Sequence, residues 1–257
     1  MKCLKFKLET PYLVNFRKPF STITLLSYPF PPYTTIRGLL ANALGLERDD
    51  YSLQDRFEIS LKPLMTPERT QDIVLMKKLK SNLKSKENAI IKKLDENKGD
   101  LSVLSCEEKE IYEGLKHIRS TSAPFVKEFI TPISCNIYVL GEENNINDLK
   151  CAMENPLRPL YIGASDDFVI TSDIKIVNAI ETKNTEIDSI IRINDRTEPI
   201  DKKRIIGRVP YKFEAINVKK RDYAREDAVV AAPKPNNKLR LNEPVRCFEI
   251  EGDYVAF

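Results

Sequence analysis

Tyr28–Leu46 reads YPFPPYTTIRGLLANALGL, a stiff loop that runs straight into a short helix. Pro29, Pro31 and Pro32 fix φ and remove backbone donors, so the loop is extended. Thr34 or Thr35 is placed to cap the helix. Ile36, Leu39, Leu40, Ala43 and Leu44 follow the i, i+3, i+4, i+7, i+8 spacing of one buried face. Gly45 stands where a helix C′ glycine belongs. Gly38 falls inside the helix, where it costs about 1 kcal/mol relative to Ala. Its presence implies a close approach by a sheet or a ligand, and packing on the sheet is the first expectation.

Working outward, Lys2–Leu8 reads Lys-Cys-Leu-Lys-Phe-Lys-Leu, with Leu4, Phe6 and Leu8 on one face, which predicts a half-buried strand. Pro11 to Pro32 is a long connection carrying Phe16-Arg17-Lys18-Pro19-Phe20. A strand is expected over Arg56–Met65. Residues 71–119 read as a helical and loop insertion, with Ile73, Met76, Leu79 and Leu83 on one face. Ser105-x-x-Glu108 is a capping box opening a further helix. Strand patterns follow over Phe125–Leu140, broken near Pro132, and over Leu160–Thr171 around Gly163, with a short helix at Asn147–Glu154 between them. The order β-α-β, insertion, β-α-β is that of a ferredoxin-like, or split βαβ, unit. From Ile174 onward the chain is β-rich. The expected fold class is α+β, with a ferredoxin-like domain over residues 1–173 and a smaller β-rich subdomain over 174–257.

Composition removes several function classes. The 41 basic and 38 acidic residues leave a net charge of +3, so polyanion binding must come from local clustering. Five scattered cysteines, without a CxxC pair, argue for a reduced, cytoplasmic protein and against a disulfide framework or zinc site. A single histidine, His117, excludes metal sites built from several imidazoles. There is no phosphate-loop, GxGxxG or GxSxG motif and no long apolar run. No metal, cofactor or membrane partner is expected.

FRKPF at Phe16–Phe20, followed by the Tyr28–Leu46 stretch, resembles the N-terminus of the CRISPR-associated Cas five family. That family belongs to the RAMP superfamily of RNA-binding ferredoxin-like proteins, and the FRKPF form is most similar to type I-B members. Val126-Lys127-Glu128-Phe129-Ile130 with the strand at Ile137-Tyr138-Val139, and Pro159-Leu160-Tyr161-Ile162-Gly163 with Ser165-Asp166-Asp167, resemble two further family segments. The resemblance covers roughly residues 1–170. Ala164 departs from it, because the family often has Arg after this glycine, and the glycine-rich loop of many RAMP proteins is absent near the C-terminus. The resemblance implies a subunit of a Cascade surveillance complex. Such a subunit holds the 5′ handle of the crRNA, caps the backbone, abuts the large subunit and meets target DNA only through the complex. It also implies a thumb, and the insertion lies in that position.

Single-stranded RNA is held by cations along its backbone and aromatics under its bases. On that chemistry Phe16, Arg17, Lys18, Tyr33 and Arg37 are expected RNA contacts, with Arg37 on the opposite side of its helix from Leu39 and Leu40. Tyr28 is expected to pack. Between Lys77 and Lys93 stand seven lysines and one acidic residue. Of these, Lys77, Lys78, Lys80 and Lys84 join Arg119 and Lys127 as candidate RNA contacts. A solvated helix face is the plainer account of such a run. Four phosphate contacts would give log K a slope of about −3 against log salt. Catalysis is not expected. Metal-free RNA cleavage, which the resemblance associates with the type I-C branch, needs a base, a cation and an acid, and Tyr112, Lys116 and His117 are the candidates. On a helix, however, His117 points about 100° away from the face that Tyr112 and Lys116 share.

Overall fold

Strand β1 (Lys2–Thr10) is followed by β2 (Thr24–Leu25), α1 (Tyr33–Leu44), α2 (Leu53–Arg56), β3 (Glu58–Pro63) and β4 (Glu68–Leu79). Then come α3 (Ser81–Glu96), α4 (Cys106–Lys116), β5 (Ser120–Thr131), β6 (Ile133–Gly141), α5 (Glu143–Glu154) and β7 (Ile170–Asn178). Apart from a 3₁₀ turn at Lys202–Arg204, the elements that follow are strands: β8 (Ile180–Ile187), β9 (Ile191–Arg192), β10 (Ile205–Asn217), β11 (Asp222–Ala231), β12 (Leu239–Ile250) and β13 (Asp253–Val255). The computed structural model describes residues 1–18, 24–47, 50–79, 81–116, 120–164, 167–194, 197–217 and 222–257. At 75–79, 81–85, 87, 114–116, 120–123, 215, 217 and 222 it describes the backbone alone. The fold is mixed α+β and mostly sheet.

Two compact units are present, one drawn from residues 1–21, 26–70 and 128–257, the other from 22–25 and 71–127. In the first, four strands pair in the order β3-β6-β1-β7, and each neighbouring pair is antiparallel. β1 and β3 therefore run parallel with β6 between them, and α1 makes that connection. α5 makes the equivalent connection from β6 to β7 across β1. Leu4, Phe6 and Leu8 of β1 are fully buried with Ile36, Leu39, Leu40 and Ala43 of α1 and Ile146, Leu149 and Met153 of α5. The alternation in β1 places these apolar side chains on one face and α1 and α5 cover it.

The other face of β1 is not open. Cys3 is buried with Tyr138, Phe248, Ile250 and Val255, so β12 and β13 cover this side. Lys5 pairs with Glu251 at 2.8 Å and Lys62 with Asp253 at 2.6 Å, while the Tyr138 hydroxyl donates to Asp253. Burial pushes the Cys3 and Cys135 thiols up to about 12. The division expected after residue 173 falls inside β7, and 174–257 lies in the same compact unit as β1. The β-rich reading of that stretch matches six of its elements.

The second unit contains β2 and most of β5, which pair in parallel, together with most of β4 and the helices α3 and α4. Ile90, Leu94 and Leu104 form its small core, with Ile111 and Tyr112 packed against it. The capping box forms as expected: Ser105 N–H donates to Glu108 Oε2 at 3.0 Å, and Glu108 N–H to Ser105 Oγ at 3.2 Å.

Three local expectations are corrected. Residues 71–79 continue a strand, and Ile73 is exposed; Thr70, Ile73 and Val74 are β-branched, which favours an extended chain over the helical spacing. α1 starts at Tyr33, its N-cap is Pro32, and no side chain caps it. Thr34 and Thr35 thus lie within the first turn, where the preset φ of Pro32 already starts the helix. Finally, Leu160–Thr171 is not one strand: Tyr161 and Phe168 form an isolated bridge around a turn, and β7 begins at Ile170. Gly163 has φ +88° there, a conformation that breaks a strand.

Candidate nucleic-acid interface

The FRKPF loop is held from below by a buried carboxylate. Lys18 N–H donates to the Leu26 carbonyl and Tyr28 N–H to the Phe16 carbonyl, so residues 16–18 run against 26–28. Ser27 is fully buried, and its hydroxyl accepts from Phe16 N–H at 2.9 Å. Glu128 accepts from Ser27 N–H at 2.6 Å and from Arg69 Nη1 at 3.2 Å, and its carbonyl accepts from the Asn15 amide. Asn15 and Glu128 stand beside Val14 and Ile130, whose backbones exchange hydrogen bonds. Glu128 was not expected as an organiser. Its signal in the sequence is a lone acid inside the apolar strand pattern Phe125-Val126-Lys127-Glu128-Phe129-Ile130.

This scaffold separates the residues of the loop by role. Phe16 is 2% exposed and Tyr28 4%, so both rings belong to the core. That agrees with the expectation for Tyr28 and corrects it for Phe16, whose ring is drawn inside with Leu8 and Val14. Arg17 is exposed, and Lys18 lies 5.5 Å from the centroid of the Tyr28 ring. Pro19 and Phe20 lie outside the described residues.

On α1 the expected contacts also turn inward. Tyr33 is 3% exposed and meets Tyr211 of β10 edge to face, ring centroids 5.4 Å apart. Arg37 is 8% exposed, donates to the Tyr211 carbonyl and places its Cζ 5.2 Å from the Tyr211 centroid. Arg192 approaches the same ring, Cζ at 4.4 Å. Burial lowers the pKa of the Arg37 guanidinium, with Tyr211 acting against it. The surface salt bridge weighed for Arg37 does not form among the described residues, because its guanidinium is turned onto Tyr211 of β10. No single-sequence pattern pairs residue 37 with residue 211.

Gly38 corrects the opening expectation. A Cβ built on it meets nothing within 4 Å, and the residue is exposed. It lines a cleft of about 800 Å³ with Thr34, Ala41 and Asn42 of the same helix and with Tyr161 and Phe168. The close approach occurs instead at Gly163, where a Cβ would lie 2.9 Å from Asp167 Oδ2 and 3.3 Å from the Asn15 carbonyl. The turn at 161–168 and the loop at 15–18 are thus in contact, which joins two of the segments singled out from the sequence.

In the second unit three described lysines are exposed and paired. Lys86 meets Glu107, Lys92 meets Glu96, and Lys93 hydrogen-bonds Glu108. For Lys77, Lys78, Lys84 and Lys116 the backbone alone is described, and Lys80, His117 and Arg119 lie outside the described residues. Tyr112 is partly buried against the Ile90 cluster. Lys127 is partly buried in β5. Among the described residues no group of acidic, Cys or His side chains has the arrangement of a metal site, and no helix is long and apolar enough to cross a membrane.

Comparison with known proteins turns on one match: the family model for "CRISPR-associated protein (Cas_Cas5)" covers residues 3–233. The chain belongs to this Cas5 family. The resemblance seen over residues 1–170 therefore extends through β11. A solved chain titled "CRISPR RNA-guided surveillance complex" superposes with TM-score 0.52 at 10% identity, covering 93% of this chain and 91% of that one. A CRISPR protein from Archaeoglobus fulgidus gives 0.47 at 14% identity, covering 99% and 98%. The first of these shows a shared fold. No curated protein matches the chain.

Proposed function

We propose that the chain is a structural, RNA-binding subunit of a type I CRISPR surveillance complex, seating the 5′ handle of the crRNA and capping the backbone subunits beside the large subunit. The observation that carries this reading is the Cas5 family match over residues 3–233. The sheet order β3-β6-β1-β7 with two crossover helices supports a ferredoxin-like unit, and the unit over 71–127 supports a thumb. The rigid loop scaffold supports the RNA contact. Glu128 and Ser27 fix residues 16–18 and leave Arg17 exposed beside Lys18, a pre-organised pair of cations. The role is binding and assembly, with no chemistry of its own.

The test is co-expression with a repeat-derived crRNA and the backbone subunit, followed by mass measurement and salt titration. Arg17→Ala with Lys18→Ala is expected to weaken RNA affinity about tenfold and to reduce the salt slope by about 1.4, at about 0.7 per phosphate contact on a single strand. Unchanged affinity and slope would show the loop to be structural only. Specific cleavage of repeat RNA in EDTA, abolished by His117→Ala, would replace the binding role with an endoribonuclease.

A further inference from the structure

Helix α1 turns two different faces to its surroundings. Ile36, Leu39, Leu40 and Ala43 are buried on one. Thr34, Gly38, Ala41 and Asn42, again spaced by threes and fours, line the 800 Å³ cleft on the other. Glycine in a helix interior costs about 1 kcal/mol relative to Ala, and among the described residues no atom lies within 4 Å of a Cβ built on Gly38. Two further observations bear on what the cleft holds. Tyr161 and Phe168 are 38% and 54% exposed and line it from the turn before β7. Arg37 also lines it, is 92% buried, and has an Nε with no hydrogen-bond partner; among the described residues no carboxylate lies within ion-pair distance of it. A buried cation without a counter-ion favours an anion nearby.

We propose that this cleft is a slot for one unpaired nucleobase of a single-stranded RNA. The base sits against the bare backbone at Gly38 and stacks on Tyr161 or Phe168, and its phosphate is drawn toward Arg37. The volume lies within the range of about 300–1,000 Å³ typical of small-ligand pockets. Exposed aromatics supply stacking that any base satisfies. The phosphate belongs toward the start of α1, since Glu47 and Asp50 line the cleft beyond the other end of the helix. A partner helix is less well matched, because Arg37, Asn42, Glu47, Asp50 and Arg158 interrupt the apolar part of the lining. The slot reads shape more than sequence. The Asn42 amide already donates to the Pro159 carbonyl, and the Gln54 amide both donates to and accepts from the backbone of Phe213. The proposal rests on the RNA-binding reading above.

The full chain, alone and assembled with its crRNA, is mixed with single-stranded RNA carrying 4-thiouridine at successive positions and irradiated, and crosslinked peptides are mapped. Anisotropy with a labelled oligonucleotide gives affinities for wild type, Gly38→Leu and the double variant Tyr161→Ala, Phe168→Ala, with thermal unfolding as the check on folding. Crosslinks are expected on Tyr161 or Phe168 from one RNA position. The double variant is expected to lose about 5- to 150-fold in affinity, the value of about 1–3 kcal/mol of stacking, and Gly38→Leu at least tenfold. Because Tyr161 and Phe168 are exposed, the double variant tests the slot even where Gly38→Leu disturbs the helix. Folded variants with unchanged affinity and crosslinks mapping elsewhere overturn the slot and leave the RNA-binding reading standing. Loss of a protein partner in Gly38→Leu with RNA affinity unchanged overturns it in favour of a protein-docking groove. No RNA bound by wild type, free or assembled, removes both readings.

Discussion

Arg37 and Lys93 are both cations on helices, and their surroundings have little in common. Arg37 is buried, hydrogen-bonded to the Tyr211 carbonyl and packed on its ring. Lys93 is half exposed and meets Glu108 at the surface of the second unit. The same contrast holds for the two regions around them. The loop and α1 contain prolines and aromatics at close spacing, so burying them gathers large apolar area and carries the interleaved polar groups inside with it. Each such group then needs a partner, which Glu128, Ser27 and Tyr211 supply. The insertion has charge at short intervals, and among its described residues the core is a few aliphatic side chains, so Lys86, Lys92 and Lys93 stay in water, where a pair contributes little. Cation-rich sequence thus becomes a rigid scaffold in one region and a solvated surface in the other, according to how much apolar area accompanies it.

The contrast breaks first at Glu128. Glu128→Ala removes a charged acceptor from the buried Ser27 N–H and a partner from Arg69, which is half exposed and recovers water. The expected loss is about 2 kcal/mol in urea denaturation. It should be accompanied by faster amide exchange at residues 16–18 and 26–28 while α3 and α4 are unaffected. A loss below about 0.5 kcal/mol would mean that the loop is held by its apolar contacts alone.

In the second unit the comparable change is smaller and local. Ser105→Ala removes the hydroxyl from the capping box and is expected to cost about 1 kcal/mol of α4 stability, read as amide exchange in its first turn. The carboxyl of Glu108 is held below its ordinary pKa by its hydrogen bonds from Lys93 and from Ser105 N–H. A lowered folded-state pKa means that this stabilisation is present above the usual carboxylate range. It is lost as pH falls through the lowered value. Protection factors in the first turn of α4, taken against the intrinsic exchange rate at each pH, should therefore fall toward acid pH in wild type and fall less in Ser105→Ala, where part of the box is already gone. Equal acid sensitivity in both would place the protonating group elsewhere.

Much of this frame was legible from spacing. The buried face of α1, the alternation of β1, Gly45 as the C′ residue and the Ser105–Glu108 box all depend on neighbours within a few residues, which one sequence displays. What was hidden depends on long-range pairing. Arg37 looks like a surface residue because its helix offers a polar side; only the arrival of β10, more than 170 positions later, buries it. Phe16 looks like a stacking platform because aromatic-cation alternation is common to RNA sites and to cores, and the difference is set by Ser27 and Glu128. Residues 71–79 fit helical and extended spacing alike, and the β-branched residues decided the outcome. The second face of β1 was legible only as Cys3, Lys5 and Lys7; the acids that meet Lys5 are on β13 and the turn before it.

Gly38 gives the smallest effect and the sharpest separation of structure from function. In a helix interior, Gly→Ala is expected to stabilise by about 0.5–1 kcal/mol where the added methyl fits. Here a Cβ meets no atom within 4 Å, and α1 has ordinary helical geometry at this position. Gly38→Ala should therefore raise the urea midpoint with no change in its slope, the opposite sign to Glu128→Ala on the same scaffold. Destabilisation would reveal a close contact at Gly38 and would return the residue to the packing role first expected of it. A stabilised variant means that the bare backbone is retained at the expense of helix stability. That result would agree with the slot proposed for the cleft, since among the described residues no atom lies within 4 Å of the position a Cβ would take.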